Sequence, residues 1–483
     1  MTSIGSLPVE IVLQIIRLAI EPGPEAVGVC AAVSRQWQQH VERQSFALIR
    51  LNADRASEAK EILTPARQTY VRHINMEALL PEYDDSKLFG CRETDEEQQQ
   101  NNRAFTRAII ALFDCLSRWD SVATGTGQPS VTLELCAFSP SDTISAMASY
   151  RAQRWKHSFL SLENGVKDEL PALGMITSFV DRSHVVSAIP RPRHRQYFRR
   201  YIAASVFGVI ASKMPNLEQV DWALNDDENE NVLLRQKLRQ EFATSLMDLP
   251  RSVRHFRLFY PNPGPKNDDF QPPRAYRNGL VSDPLSIALY GISQECVTFI
   301  LDGTVVFDTN IFWPHSLPSN PDKTPFWSRL EEFNIRSSRV SPSGAWLFHA
   351  DPSAPRRPAP SPRFHANSPE VLSGDDPTFF YKVHLDHEYF RELCLAAARA
   401  AARMPRLKLM MAEWDLGIAC QFGYRVYGEG TCAEYWSEST PAFPLTAETE
   451  DAWRAAARVH IGESSKINFD LVDLGEKHPM IYG

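Results

Sequence analysis

The stretch Pro215-Asn216-Leu217-Glu218-Gln219-Val220-Asp221-Trp222 follows residues 201–214, an apolar run that predicts a helix. Pro215 and Asn216 end that helix, and the apolar residues after them alternate with polar ones, which is typical of a short β-strand. A helix followed at once by a strand is one unit of an α/β fold. When such units recur, crossover helices place their strands parallel to one another in one sheet.

Comparable helix-then-strand units occur further along the chain. Their helix and strand segments are 233–249 with 250–258, 284–293 with 296–301, 326–330 with 331–335, and 390–404 with 405–411. The strands lie about 35 to 45 residues apart, with one gap about twice as long. We therefore expect an α/β fold in which residues 51–483 form an irregular, leucine-rich-repeat-like solenoid of helix-strand units. Because no true Leu-x-x-Leu-x-Leu-x-x-Asn repeat occurs, a single α/β domain with the same alternation is the alternative.

Shorter patterns fill the rest of the chain. We expect strands at residues 70–76 and 131–135 and helices at 50–63, 105–119 and 448–460. We also expect a polar loop or helix lead-in at 93–102 and a two-stranded ribbon at 422–436. Two proline-rich stretches interrupt the units. Residues 260–279 predict an ordered or semi-ordered excursion. Residues 351–369, with prolines among Ser and Ala, carry too little apolar surface to fold and predict a flexible insertion.

The N-terminal stretch Leu7-Pro8-Val9-Glu10-Ile11-Val12-Leu13-Gln14-Ile15-Ile16 predicts a helix that begins at Pro8. Its apolar residues recur at i, i+4 and i+7 with a second set one step round, so the apolar stripe is wider than a small helical unit needs. Residues 25–33 and 34–49 predict two more helices, with Ser34 as an N-cap. A three-helix unit of about 45 residues in total buries little surface, so the surplus apolar surface of its first helix indicates a partner.

These residues resemble an F-box. Leu-Pro-x-Glu-Ile opens the first helix, and Val33-Ser34-Arg35-Gln36-Trp37 stands where the family has Val-Cys-Arg-Arg-Trp. The resemblance implies an F-box domain over residues 1–50 that docks a Skp-family adaptor and, through it, a cullin. The residues that it assigns to the adaptor are Leu7, Pro8, Glu10, Ile11, Ile15, Ile16, Val33 and Trp37. An ordinary helical cap on a larger domain is the alternative.

Three further stretches make most of the chain similar to a group of filamentous-fungal F-box proteins with an uncharacterised C-terminal region. They are Leu80-Pro81-Glu82-Tyr83-Asp84, Asn101-Asn102-Arg103-Ala104-Phe105-Thr106 and Phe312-Trp313-Pro314. This resemblance implies no known substrate or chemistry. Recognition usually falls on loops and on exposed aromatic or arginine side chains held by a rigid frame. The candidate contacts for an acidic or phosphorylated target are therefore Trp313, Arg336 and Arg339.

Composition bounds the class of protein. A chain of 483 residues with 43% hydrophobic and 10% aromatic residues is globular, and its net charge of -8 makes nucleic acid an unexpected partner. No basic segment followed by an apolar run opens the sequence, and no apolar run is long enough to span a bilayer. None of the 8 cysteines forms Cys-x-x-Cys. Free thiols predict a reducing, intracellular location, in the cytoplasm or the nucleus.

Patterns that carry chemistry are weak in this sequence. We find no phosphate-binding glycine-rich loop and no Gly-x-Ser-x-Gly motif. His384-Leu385-Asp386-His387-Glu388 lacks the His-Glu-x-x-His spacing of a zinc hydrolase and better fits a polar helix start. Basic residues 191–200 and acidic residues 225–231 are better explained as solvated surface than as binding sites.

These observations predict no enzyme, cofactor or metal. The function that we expect is that of a substrate-recruiting F-box subunit of an SCF-type (cullin-RING) ubiquitin ligase, whose C-terminal repeats bind a protein target. A repeat-type interaction scaffold outside any ligase is the alternative. An unrecognised hydrolase is weaker, because no nucleophile–base pair can be placed.

Overall fold

A computed structural model of the chain describes residues 8–20, 24–84, 92–120, 130–142, 154–181, 199–262, 264–314, 324–350, 374, 381–415, 419–427, 432–439, 442–462 and 467–473. The chain forms two compact units. The first comprises Met1–Arg154, Leu160–Arg200 and Lys213–Leu217, and the second comprises Trp155–Phe159, Tyr201–Ser212 and Glu218–Gly483. Residues 1–50 belong to the first unit and are followed there by further elements, so a domain boundary at residue 50 stays a prediction.

The first unit contains helices and a parallel sheet. Its helices are α1 (Val9–Ile20), α2 (Pro24–Ala31), α3 (Arg35–Ser45), α4 (Ala53–Ile62), α5 (Pro65–Gln68), α6 (Asp95–Asp120) and α7 (Val166–Glu169). Its strands are β1 (Leu48–Leu51), β2 (His73–Leu79), β3 (Val131–Phe138) and β4 (Ile176–Val180). Each strand pairs in parallel with the next one along the chain.

The second unit repeats this order on a larger scale. Its helices are α8 (Ala204–Ala211), α9 (Val232–Leu246), α10 (Pro284–Ser293), α11 (His387–Ala401) and α12 (Ala447–Ile461). Its strands are β5 (Gln219–Ala223), β6 (His255–Phe259), β7 (Thr298–Val305), β8 (Glu332–Ser337), β9 (Phe348–Ala350), β10 (Lys382–Leu385), β11 (Leu409–Asp415), β12 (Ala419–Tyr427), β13 (Cys432–Ser439) and β14 (Ile467–Asp473).

The main sheet of the second unit is mostly parallel. Strands β5, β6, β7, β8 and β11 pair side by side in parallel, β12 is antiparallel to both β11 and β13, and β14 returns parallel to β13. Strands β9 and β10 form a separate antiparallel pair. The chain is therefore a mixed α/β protein, and its large sheet is not closed into a barrel.

The core of the second unit lies on one face of its main sheet. Val220, Phe256, Phe299, Phe333 and Met410 occupy directly paired positions on successive strands, and all are buried. The rings of Phe256 and Phe299 stack with centroids 5.5 Å apart, and those of Phe299 and Phe333 with centroids 5.1 Å apart. Side chains one residue along each strand point to the opposite face and are partly or fully exposed, except for the glycine on β12.

Most predicted elements occur near their expected limits, and the differences have local causes. The long helix α6 begins at Asp95, because Thr94 and Glu97 form a capping box in which each side chain accepts a hydrogen bond from the other's backbone N–H, at 3.2 and 3.0 Å. Residues 326–330 are not helical. There Trp327 is buried and donates from Nε1 to Ser293 Oγ at 2.8 Å, which holds the irregular segment before β8 in place.

Among the described residues, five strands were not expected from the sequence: β1, β4, β9, β10 and β14. Strand β1 replaces the end of the predicted third helix, and β14 follows α12. Of the two proline-rich stretches, 260–279 is held against the second unit: Trp346 Nε1 donates to the Phe270 carbonyl at 3.0 Å, and Gln271 Nε2 donates to the Gly344 carbonyl at 2.8 Å. The predicted insertion 351–369 lies outside the described residues.

Candidate functional site

Helix α1 carries two apolar stripes with different exposure. Val12 and Ile16 are 3% and 0% exposed. Ile11, Ile15 and Leu18 are 43%, 38% and 62% exposed. Because a helix turns about 100° per residue, these three side chains share one face, beside the buried stripe. The surplus stripe expected from the sequence is therefore open to solvent on the described part of the chain.

The buried stripe belongs to a small core that α1, α2 and α3 share. Val12, Ile16, Cys30 and Val41 form this core, with Trp37 packed partly against it. Ser34 caps α3 by accepting a hydrogen bond from the Trp37 backbone N–H at 3.2 Å. Ile16 was expected to contact the adaptor, and the structure corrects this: its side chain is buried in the core and is not accessible to a partner.

The other expected adaptor residues are mostly exposed. Pro8 and Glu10 are exposed at the start of α1, and Val33 is 59% exposed after α2. Val29, which the motif did not single out, is 71% exposed. Leu7 lies outside the described residues. Leu18 is the residue that the structure adds to the exposed stripe of α1, and the i, i+4, i+7 spacing from Ile11 is the signal for it.

The expected target contacts do not form one exposed patch. Trp313 is partly buried and follows a 3₁₀ turn, Thr309–Ile311, with its backbone N–H donating to the Thr309 carbonyl at 3.0 Å. Arg336 lies on the exposed face of β8, with Nε 3.8 Å from Glu413 Oε1. Arg339 is 6% exposed, so its assignment as a surface contact is wrong for this structure. Its guanidinium is held in the interior by an ion pair with Asp268.

The guanidinium of Arg339 makes several contacts inside the second unit. Its Nη2 lies 3.0 Å from Asp268 Oδ1 and donates to the Lys382 carbonyl at 2.8 Å. The guanidinium also lies over the Trp346 ring, 5.2 Å from its centroid. Burial lowers the pKa of Arg339, and the nearby Asp268 carboxylate partly opposes that shift. These contacts hold the excursion 260–279 and strand β10 to the end of β8.

A second buried ionic network lies among the loops that follow β5, β6 and β7. Arg239 pairs with Asp226 at 3.1 Å and with Asp283 at 2.8 Å, and Arg235 pairs with Asp226 at 2.8 Å. Burial alone would raise the pKa of Asp283, but attraction and hydrogen bonds from Arg239 and hydrogen bonds from Ser286 lower it. Since every charge has an opposite partner, the network positions the loops and has the character of a structural core.

The acidic stretch 225–231 was expected to be solvated surface, but two of its carboxylates, Asp226 and Glu228, are only 4% and 5% exposed. Asp226 enters the network just described, Glu228 pairs with His157 Nδ1, and Glu230 pairs with Lys156 Nζ. In the basic stretch, only Arg199 and Arg200 are described, and Arg200 is buried against Glu93 and Asp142. The rest of that stretch, 191–198, lies outside the described residues.

No chemical centre emerges from the described side chains. They contain no group of three or more His, Cys, Asp or Glu placed to hold a metal ion. Asp386 caps α11 by accepting from the Glu388 and Tyr389 backbone N–H groups at 3.1 and 3.0 Å, and His387 packs on Phe443. Burial raises the pKa of the Cys136 and Cys394 thiols to about 12, which keeps both protonated and unreactive at neutral pH.

Comparisons with known proteins give little beyond this geometry. None of the described helices is both long and apolar enough to cross a bilayer. No curated protein matches the chain. Residues 380–478, which contain β10 to β14 with α11 and α12, match a family of unknown function, DUF6546.

Proposed function

We propose that this protein is a substrate-recruiting F-box subunit of an SCF-type (cullin-RING) ubiquitin ligase. Helices α1 to α3 would dock a Skp-family adaptor and, through it, a cullin, and the second unit would bind a protein target. The chain itself would catalyse no covalent step. It would raise the effective concentration of target lysines near the ligase-bound ubiquitin carrier.

The observation that carries this proposal is the exposed stripe of Ile11, Ile15 and Leu18. Three large aliphatic side chains on one helix face cost free energy in water, and such faces usually mark a docking site. Protein interfaces concentrate their energy in a few anchors, each worth about 2 kcal/mol or more. The small core of Val12 and Ile16 holds α1 with this stripe outward.

For the C-terminal part we propose an irregular leucine-rich-repeat-like arrangement. The chain-order pairing of β5 to β8 and the single buried face of their sheet support it. A rigid sheet with one open face suits recognition of another protein. With free buried thiols, we place the protein inside the cell, in the cytoplasm or the nucleus.

A repeat-type scaffold is the second candidate, in which α1 to α3 only cap the first unit. A specific contact favours it. Arg67, on α5, pairs with Glu42 on α3 at 2.7 Å and lies over the Phe46 ring, 5.0 Å from its centroid. These contacts tie the helices to the sheet unit that follows them.

Adaptor binding separates the two candidates. We expect Ile11→Asp to abolish binding of the full chain to a purified Skp-family adaptor, measured by calorimetry, and co-purification of adaptor and cullin from native extract. The matched control is Leu13→Asp, because Leu13 is equally exposed at 43% but points about 160° away round the helix. Loss of binding in both variants, or in neither, would contradict docking through this stripe, and no binding by the wild-type chain would leave the scaffold.

A further inference from the structure

The open face of the second unit's sheet is a continuous surface built from paired strand positions. On β12 it contains Gln421, Gly423, Arg425 and Tyr427, which pair with Glu438, Trp436, Glu434 and Cys432 of β13. On β14, Asn468, Asp470 and Val472 continue it across from Glu434, Trp436 and Glu438. Towards the other side it continues through Met411 and Glu413 of β11 to Asn334 and Arg336 of β8.

Acidic side chains outnumber basic ones on this face. Its carboxylates are Asp221, Asp302, Glu332, Glu413, Glu434, Glu438 and Asp470, and its arginines are Arg257, Arg336 and Arg425. Two of the arginines already lie beside carboxylates of the same face. Arg257 pairs with Asp302 at 3.2 Å, and Arg336 Nε lies 3.8 Å from Glu413. These two contacts offset the charge of only two of the seven carboxylates.

The excess is concentrated around one partly exposed aromatic ring. Trp436 has Glu434 and Glu438 two residues away on its own strand and Asp470 directly across on β14. Among the described residues, these three carboxylates form no ion pair; Glu434 accepts from Tyr427 Oη at 2.7 Å, and Glu438 accepts from Gln421 Nε2 at 2.8 Å. An indole ring bordered by carboxylates attracts a cation through both the ring quadrupole and the charges.

The chain itself places one cation, Arg425, against this ring. The guanidinium of Arg425 lies 5.3 Å from the Trp436 ring centroid and 5.5 Å from that of Tyr427. Partly buried Ile300 on β7 and Leu409 and Met411 on β11 add apolar contact area further along the same face. Aromatic, Met and Arg side chains on a rigid frame are typical of the centre of protein interfaces.

We propose that the open face around Trp436 binds a lysine- and arginine-rich segment of a partner protein. This deepens the proposed function, since it assigns the target-binding surface of the second unit and the chemistry of the target. The acidic excess disfavours nucleic acids, anionic membranes and phosphorylated peptides, all of which carry the same sign of charge. It replaces the acidic target that the sequence suggested through Arg336.

The test uses the full chain without adaptor, with fluorescein-labelled octalysine and octaglutamate as probes in fluorescence anisotropy. We expect octalysine to bind with a salt-dependent affinity and octaglutamate not to bind. The triple variant Glu434→Gln, Glu438→Gln, Asp470→Asn should bind octalysine about tenfold more weakly, because it removes the unpaired carboxylates but keeps their hydrogen-bonding oxygens. Trp436→Leu should also weaken binding.

A second triple variant controls for net charge. Glu241→Gln, Glu388→Gln, Glu448→Gln neutralises three carboxylates on helices of the same unit, whose side chains are 46%, 80% and 68% exposed. We expect it to bind octalysine nearly as well as wild type. Equal loss in both triple variants, or octaglutamate binding by wild type, would overturn the proposal. Arg336→Gln should strengthen octalysine binding, because it frees Glu413, and weaker binding would also count against it.

This result is independent of the ligase. Each variant is also tested for adaptor binding, which the face variants should retain since Trp436 is not part of α1 to α3. Octalysine binding by a chain that binds no adaptor would support the basic-segment surface while contradicting the F-box function. Adaptor binding with no octalysine binding would contradict the surface and leave the F-box function standing. Thermal unfolding of each variant checks that its fold is intact.

Discussion

Trp436 of β13 lies against Gly423 of β12, its direct partner in the antiparallel ladder. A Cβ atom at position 423 would lie 2.2 Å from Cζ2 of Trp436. No side chain fits between the indole and the strand, so the glycine is what lets the ring lie flat across the sheet. The orientation of the ring on the open face therefore depends on the absence of one methyl group.

Gly423→Ala should displace the Trp436 ring and destabilise the second unit by about 1–3 kcal/mol, the usual cost of overpacking. The measurement is thermal or chemical unfolding, with octalysine binding as a second readout that should weaken. Gly291→Ala is the control. Gly291 lies within α10 with no atom within 4 Å of the added Cβ, so alanine there should stabilise by about 0.5–1 kcal/mol. An unperturbed Gly423→Ala variant would contradict the described position of the indole.

Two neighbouring isoleucines on α1 should respond differently to the same substitution. Ile16→Ala removes a fully buried side chain from the small core of α1 to α3, and should cost about 2–5 kcal/mol. Ile15→Ala trims a side chain that is 38% exposed, and should cost less than about 1 kcal/mol. Hydrogen exchange of α1 amides is the measurement. Similar loss of protection in both variants would mean that the exposed stripe is packed in solution.

Arg239 should be among the most sensitive polar positions in the chain. Arg239→Met leaves Asp226 and Asp283 buried with less compensation, and should cost about 3–5 kcal/mol. Lys237→Met, on the same helix α9, breaks only an exposed pair with Glu241 at 3.9 Å, and should cost about 0.5 kcal/mol or less. Chemical denaturation of both variants compares them. A mild Arg239→Met effect would show that the network is hydrated rather than buried.

His460 should give the second unit an acid-sensitive stability. Its Nε2 donates to the Met404 carbonyl at 2.8 Å, which leaves Nδ1 to accept from Tyr424 Oη at 2.8 Å. Burial lowers the pKa of His460 below 6.5, and the Met404 carbonyl partly opposes the shift. The unfolded chain therefore binds the proton first as pH falls, so stability is lost below about pH 6.5 by at most about 1.4 kcal/mol per pH unit.

Replacing the imidazole tests that assignment. His460→Gln keeps a donor and an acceptor but does not titrate, so its free energy of unfolding should change less than that of wild type between pH 7 and pH 5.5. Denaturant titrations at several pH values provide the comparison. Parallel pH profiles for the two proteins would assign the acid sensitivity to other groups.

Sequence patterns predicted the alternation of helices and strands because local periodicity determines it. Helix α10 occupies 284–293, as predicted, since Asp283 caps it and Pro284 fits its first turn. Strand β1 could not be predicted, because its four residues, Leu48–Leu51, continue the apolar pattern of the preceding helix and become a strand only by pairing with β2.

Candidate contact residues were harder to predict than the fold. Arg336 and Arg339 lie three positions apart, yet one is on an open sheet face and the other is buried. The difference arises from Asp268, whose side chain meets Arg339 from a distant part of the chain. Likewise, the environment of Trp436 depends on β12 and β14. Neither long-range partner leaves a signal in the periodicity of a single sequence.

Chain-order pairing of the strands has a kinetic consequence. From β5 to β8 each strand pairs with the next strand in the sequence. Forming each pair therefore closes only the one connection between those two strands. Loop closure sets much of the folding barrier, and parallel sheets with distant partners are slow to assemble. In this protein the sheet can grow one strand at a time, with each added strand providing the edge on which the next one forms.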